Sequence, residues 1–188
     1  MRSAFKVNVE HLAIPDVKLI IPRRFADTRG YFSETWNRRS YAKVGIDVDF
    51  VQDNFSLSRS VGTVRGLHFQ TNPFAQGKLV RVLKGQVFDV AVDLRRRSNT
   101  YGEWVSAILT SENGEQLYIP PGFAHGFATL QPDTEVSYKV TNYYSPENDC
   151  GVRWDDPQIN VAWPVHDRPV ISEKDEKLPF LAELEAAF

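Results

Sequence analysis

The sequence holds a single cysteine, Cys150, which excludes an intramolecular disulfide and a cysteine-based zinc cluster. No apolar run approaches the length of a membrane span, and Met1-Arg2-Ser3-Ala4-Phe5-Lys6-Val7 lacks the apolar core of a signal peptide. A cytoplasmic protein without membrane contact is therefore expected. Charge of one sign is also missing. The formal net charge is -2, so no global basic field advertises nucleic acid or an anionic membrane as partner. An anionic ligand would need a local cluster of arginine and lysine. Helical periodicity is scarce. It is visible at residues 179–188, where Phe180, Leu184 and Phe188 recur every four residues, and a shorter helix is expected at 37–45, with Gly45 as its stop. There is no internal repeat, low-complexity tract or linker, and 188 residues suit one domain.

What is present is short extended segments. Hydrophobic content of 42% and charged content of 24% are an ordinary globular balance, and aromatics at 12% favour strands. Strands are expected at 17–21, 31–36, 49–54, 65–70, 104–110 and 136–141, with Asp27-Thr28-Arg29-Gly30 and Ser111-Glu112-Asn113-Gly114 as turns. Residues 79–83 and 87–94, joined by Lys84-Gly85, read as a β-hairpin. Residues 56–62 read as a polar loop, and the chain turns irregular from Asn142. Many short strands with little helix describe an all-β sandwich or barrel, of which the jelly roll is one form, with a ligand-sized cavity at its mouth.

Two stretches carry chemistry. Arg65-Gly66-Leu67-His68-Phe69-Gln70 places a cation, an imidazole and a carboxamide on one strand. Alternation sends His68 and Gln70 to one face and Arg65 to the other. His68 there is either a proton-transfer group or an ordinary hydrogen-bonded histidine. In residues 87–94, Asp89 and Asp93 share the less apolar face. That face is either solvated or, if it lines a cavity, functional.

Three segments taken in order go further: the hexapeptide, Gly77-Lys78-Leu79-Val80-Arg81, and Pro120-Pro121-Gly122-Phe123-Ala124-His125-Gly126-Phe127. With Tyr138-Lys139 and Trp154 downstream, the chain closely resembles the dTDP-4-dehydrorhamnose 3,5-epimerases from about residue 15 to 175. The resemblance implies a cupin-type jelly roll (a double-stranded β-helix with a few short helices, one C-terminal), a homodimer, and cofactor-free isomerase chemistry in dTDP-rhamnose biosynthesis for cell-surface polysaccharide. The implied substrate is a dTDP-4-keto-6-deoxyhexose. Its carbons 3 and 5 flank the ketone, so epimerisation needs a base on one face, an acid on the other and positive charge near the enolate oxygen.

By this resemblance His68 matches the general base, Asp175 its orienting carboxylate, Tyr138 the opposing acid and Lys78 the cation beside the ketone. His125 matches a second active-site histidine and Asp89 a supporting carboxylate. Arg29 and Arg65 match diphosphate-binding positions, where a planar guanidinium suits paired phosphate oxygens. Glu34, Gln52, Asp53, Asn54 and Lys174 match the rest of the nucleotide-sugar site. Asp149 stands where many members have glutamate.

If Arg65 and His68 touch one substrate, the strand must bend or bulge near Gly66. Many cupins bind a metal through His-x-His, but here that position reads His68-Phe69-Gln70, so no metal is expected. Competing readings are a mono-epimerase acting at carbon 3 or 5 alone, a metal-dependent cupin enzyme, and a non-catalytic sugar-nucleotide binding module.

Overall fold

The computed structural model describes residues 7–165, 168–184 and 188. Its described elements are almost all strands, in chain order β1 (Asn8–His11), β2 (Lys18–Ile21), β3 (Arg24–Asp27), β4 (Gly30–Ser33), β5 (Gln52–Ser58), β6 (Val64–Gln70), β7 (Lys78–Lys84), β8 (Gln86–Asp93), β9 (Trp104–Thr110), β10 (Gln116–Ile119), β11 (Phe123–Thr129), β12 (Thr134–Val140) and β13 (Asp149–Gly151). A six-stranded sheet runs β1-β2-β10-β7-β12-β5, and a five-stranded sheet runs β13-β6-β11-β8-β9. β3 and β4 form a separate antiparallel hairpin across the Asp27–Gly30 turn.

The two large sheets face each other as a jelly roll. Val80, Val82, Leu117 and Val136 from one sheet pack with Val87, Ala91, Phe123 and Phe127 from the other. Each strand contributes alternate residues to this layer, which is why the apolar positions of β7 and β12 repeat every second residue. A second cluster covers the outer face of the five-stranded sheet: Val90, Val92 and Ala124 pack under Val152, Ile159 and Leu181. The irregular C-terminal third thus acts as a blanket. Because of it both faces of β8 are buried, and Asp89 and Asp93 lie on the inter-sheet face rather than in solvent.

Several sequence expectations change. β7 and β8 are not a hairpin; each belongs to a different sheet, and the chain crosses between sheets at Gly85, whose φ is +82°. Residues 56–58 are strand, not loop: β5 pairs with β12 from Gln52↔Val140 to Thr134↔Ser58. Its inward residues are polar because they face a cavity instead of the core. Within the C-terminal segment the described helix is one 3-10 turn, Leu181–Glu183, whose Leu181 is held by the core while its backbone N–H donates to Asp156. Helix α1 (Arg38–Ala42) falls inside the expected segment, with Asn37 accepting from the N–H groups of Arg39 and Ser40.

β6 contains the irregularity that matters most. His68 pairs with His125, yet Arg65 pairs with Phe127, so three steps on β6 oppose two on β11. This bulge reverses the alternation, and Arg65 and His68 both line the same cavity. Gly66, with φ +118°, sits at the crossing point against Gly126 and the His125 carbonyl.

Candidate active site

A cavity of about 720 Å³ opens between the sheets, bounded by β5, β6, β7, β11 and β12 and by the segment leading into α2 (Glu173–Glu176). His68 enters from β6. Its Nε2 lies 2.8 Å from Asp175 Oδ1, and the other carboxylate oxygen of Asp175 accepts from the Gly66 N–H at 3.2 Å. Ser172 caps α2 by accepting from the Asp175 N–H, which fixes the carboxylate at the helix start. Burial raises the Asp175 pKa, but the hydrogen bond and charge of His68 and the Gly66 N–H outweigh it and hold the group below its ordinary value. An ionised Asp175 accepting from Nε2 leaves Nδ1 as the basic nitrogen of a ring that is 31% exposed to the cavity.

His125 stands beside His68 on the neighbouring strand. Its Nε2 meets both oxygens of the buried Asp89 at 3.0 and 3.1 Å. Burial lowers the His125 pKa against the opposing pull of Asp89. Lys78, from the start of β7, reaches under β6, and its Nζ donates to the His68 carbonyl at 3.2 Å. Desolvation brings the ammonium down to about 8, with Asp89 and Asp149 supporting the charged form. Tyr138 faces the two histidines from β12, in the sheet opposite theirs and next to the strand that carries Lys78, and burial raises its phenol pKa, so it stays protonated at neutral pH.

Toward one end, Arg65 donates through Nε to Ser58 Oγ at 3.0 Å and through its terminal nitrogen to the Leu57 carbonyl at 3.1 Å. Gln52 and Asn54 line the β5 wall and are hydrogen-bonded to each other. Toward the other end Lys174 is 2.5 Å from Asp149, which also accepts from the Tyr144 hydroxyl at 3.1 Å. The ring of Tyr144 is exposed and lines the cavity.

Of the residues expected from the sequence, His68, Lys78, Tyr138, Asp175, Gln52, Asn54, Arg65, His125, Asp149 and Lys174 line this one cavity. Asp89 sits behind His125. Three others lie elsewhere. Arg29 is on the β3–β4 hairpin with an 87% exposed side chain paired to Asp27. Glu34 accepts from Asn37 and Ser40 at the start of α1. Asp53, on the outward face of β5, pairs with Lys139.

Ser56, Gln76, Phe127, Tyr144 and Ser172 also line the cavity and were not singled out from the sequence. Tyr144 lies in a stretch without strand periodicity, and Ser56 lay in a segment read as loop. Gln70, at the position of the missing second histidine, donates to the carbonyls of Phe74 and Tyr143 and accepts from the Ser145 N–H. Its amide organises loops. No group of three or more His, Cys, Asp or Glu side chains able to hold a metal ion occurs among the described residues.

A histidine of one sheet, paired with a carboxylate from α2, faces a half-buried phenol of the other sheet, with a lysine ammonium beside the histidine. The sequence profile described as dTDP-4-dehydrorhamnose 3,5-epimerase matches residues 11–183. The chain belongs to the dTDP-4-dehydrorhamnose 3,5-epimerase family. It is 58% identical over 179 residues to the epimerase of that name from Sinorhizobium fredii, covering 95% of this chain and 92% of the relative. The Escherichia coli epimerase is 49% identical over the same length, with 95% and 96% covered. Among solved structures, the dTDP-6-deoxy-D-glucose-3,5-epimerase of Legionella pneumophila, in complex with dTDP-4-keto-L-rhamnose, superposes with a TM-score of 0.92. That epimerase is 44% identical to the chain, with 96% of this chain and 95% of the other covered.

Proposed function

We infer that this protein converts dTDP-4-keto-6-deoxy-D-glucose to dTDP-4-keto-L-rhamnose by inverting carbons 3 and 5. The observation that carries the reading is the placement of His68, held by Asp175, and Tyr138 on facing sheets, across one cavity that also contains Lys78. The relatives' names support the double inversion over the mono-epimerase reading.

His68 takes the proton from carbon 5 or carbon 3, and Asp175 stabilises the imidazolium that results. Negative charge moves to the oxygen at carbon 4, where the Lys78 ammonium balances it; Asp89 holds His125 in place beside this region. Tyr138 returns a proton from the opposite face, which inverts the carbon. Arg65 holds the diphosphate, and Asp149, Lys174 and Tyr144 hold the nucleoside end, with Gln52 and Asn54 along the wall. The reaction uses no metal and no cofactor. No helix among the described residues is long and apolar enough to cross a membrane, and we read the chain as one cytoplasmic domain.

Arg29, Glu34 and Asp53 do not line the cavity of their own chain. A homodimer gives Arg29 and Glu34 a role: the β3–β4 hairpin, with exposed Tyr31 and Phe32 at its end, meets the open cavity of a second copy.

The test is incubation with dTDP-4-keto-6-deoxyglucose in deuterium oxide, followed by NMR, with and without a chelator. Deuterium enters at both carbons, the chelator changes nothing, and His68→Asn abolishes the exchange. Label at one carbon alone, or full turnover by the variant, would overturn the assignment.

A further inference from the structure

Gln70 stands where metal-binding cupins carry the second histidine of His-x-His, and in this chain its side chain is buried on β6. Every hydrogen-bonding direction of the carboxamide nitrogen is used. Nε2 donates to the Phe74 carbonyl at 2.7 Å and to the Tyr143 carbonyl at 3.1 Å, and Oε1 accepts from the Ser145 N–H at 2.9 Å. Two of these three bonds go to the residues immediately before and after Tyr144. The N–H of Tyr144 itself donates to Gln52 Oε1, on the β5 wall, at 3.1 Å. The backbone around one exposed aromatic ring is therefore gripped at three successive residues.

Tyr144 needs such a grip. Its ring is exposed at the cavity, so core packing does not fix it, and residues 142–148 lie outside any strand or helix. Its hydroxyl bond to Asp149 holds only the tip. A side chain ordered before the ligand arrives spares the affinity that ordering it on binding would cost. The carboxamide suits the task, because it offers two donors and an acceptor on one planar group. A neutral histidine offers a single donor, and an ionised glutamate none. The two rim loops are also tied by Asn142 to the Pro73 carbonyl at 3.2 Å and by Asn148 to Thr71 Oγ1 at 2.9 Å. Loss of the carboxamide thus frees Tyr144 without parting the loops.

We propose that Gln70 is a positioning residue for nucleoside recognition, fixing Tyr144 at the cavity rim so that its ring meets the base of the nucleotide sugar. The proposal rests on the nucleotide-sugar reading of the cavity, but concerns affinity for the nucleotide and not proton transfer.

The experiment is calorimetric titration with dTDP of wild type, Gln70→Met, Tyr144→Ala and the double variant, alongside thermal melting of each. Both single variants bind dTDP about ten-fold more weakly. The double variant binds no more weakly than Tyr144→Ala alone, because the carboxamide acts through that ring. Gln70→Glu adds a readout that a merely structural role would not move. Its carboxylate would face two carbonyl oxygens, with Asp149 as its register partner on β13, so the protonated form is favoured and regains one donor. Its deficit against wild type at the same pH therefore shrinks as pH falls. Wild-type affinity in Gln70→Met, full additivity in the double variant, or a Gln70→Glu deficit that ignores pH would each overturn the proposal. A Gln70→Met chain that does not fold would overturn it as well, since the carboxamide would then hold the fold and not one residue. Wild-type affinity in Tyr144→Ala would remove that tyrosine from the nucleoside end and the proposal with it. The epimerase reading fails separately: wild type would bind dTDP yet exchange no deuterium into the 4-keto sugar.

Discussion

At the residue scale, the site depends on charges held in water-poor surroundings. The clearest case is Lys78. Desolvation favours its neutral form, and the pKa falls to about 8 from an ordinary lysine value. Enolate stabilisation requires the ammonium, so kcat/KM declines on the alkaline side with a midpoint of about 8, and Lys78→Arg displaces that limb upward. A pH–rate profile flat to pH 10 would remove Lys78 from the role. The linkage to stability has the opposite sense: burying a charged Lys78 costs stability below its folded pKa, and the cost is relieved as pH rises toward the unfolded value.

Asp175 behaves in the converse way. Its folded pKa is lowered, so its contribution is present above the unfolded carboxylate value and is lost as pH falls through the folded one. Asp175→Asn keeps the size but replaces the charged, acceptor-only carboxylate that orients His68 with a neutral amide. We expect a fall in kcat of roughly 10²–10⁴-fold, the contribution of a positioned acid–base group, measured by deuterium exchange with dTDP affinity as the control. Activity within a few-fold of wild type would refute the dyad.

At the element scale, the decisive feature is the β6 bulge. An added Cβ at Gly126 would meet the Arg65 carbonyl at 2.7 Å, and one at Gly66 would meet the Gly126 Cα at 2.6 Å. These neighbours are backbone and cannot rotate away. Gly126→Ala and Gly66→Ala should each lower stability by roughly 1–3 kcal/mol, read from denaturant midpoints, and should weaken dTDP binding by shifting Arg65. Wild-type midpoints in both would show that the strands can part without cost. The need for such a bulge is legible in Arg65-Gly66-Leu67-His68, since strict alternation cannot place both side chains on one ligand. The β5 wall was harder to read. Asn54, Ser56 and Ser58 alternate inward as a strand should, but their polarity looks like a loop, because a strand that faces a binding cavity has no apolar stripe to announce it. The β7–β8 connection misled for the opposite reason. Two apolar strands around Lys84-Gly85 carry a hairpin's local signal, and nothing local says that the partners are β10 and β12 on one side and β9 and β11 on the other.

At the scale of the whole molecule, Arg29 tests the proposed assembly. It is exposed on its hairpin and absent from its own chain's cavity. Arg29→Ala should nonetheless weaken dTDP binding, and sedimentation should find two copies of the chain per particle. A monomer with full activity, or an Arg29→Ala variant that binds dTDP as wild type does, would exclude a shared site.

The sequence by itself determined the strand-rich class, through short alternating segments and turn residues, and the chemical inventory of imidazole, phenol, ammonium and carboxylates. Those are properties of residue type and local spacing. Only the tertiary structure decided the pairings. Asp175 lies 107 residues from His68 along the chain, and Asp89 lies 36 from His125. Pairing of β8 with β11 brings Asp89 to His125, docking of α2 on β6 brings Asp175 to His68, and the C-terminal blanket turns the outer face of β8 into core. Hydrogen bonds of that separation are fixed by which strands share a sheet and by where α2 docks on it, and both are long-range energetic outcomes that no short stretch of sequence contains.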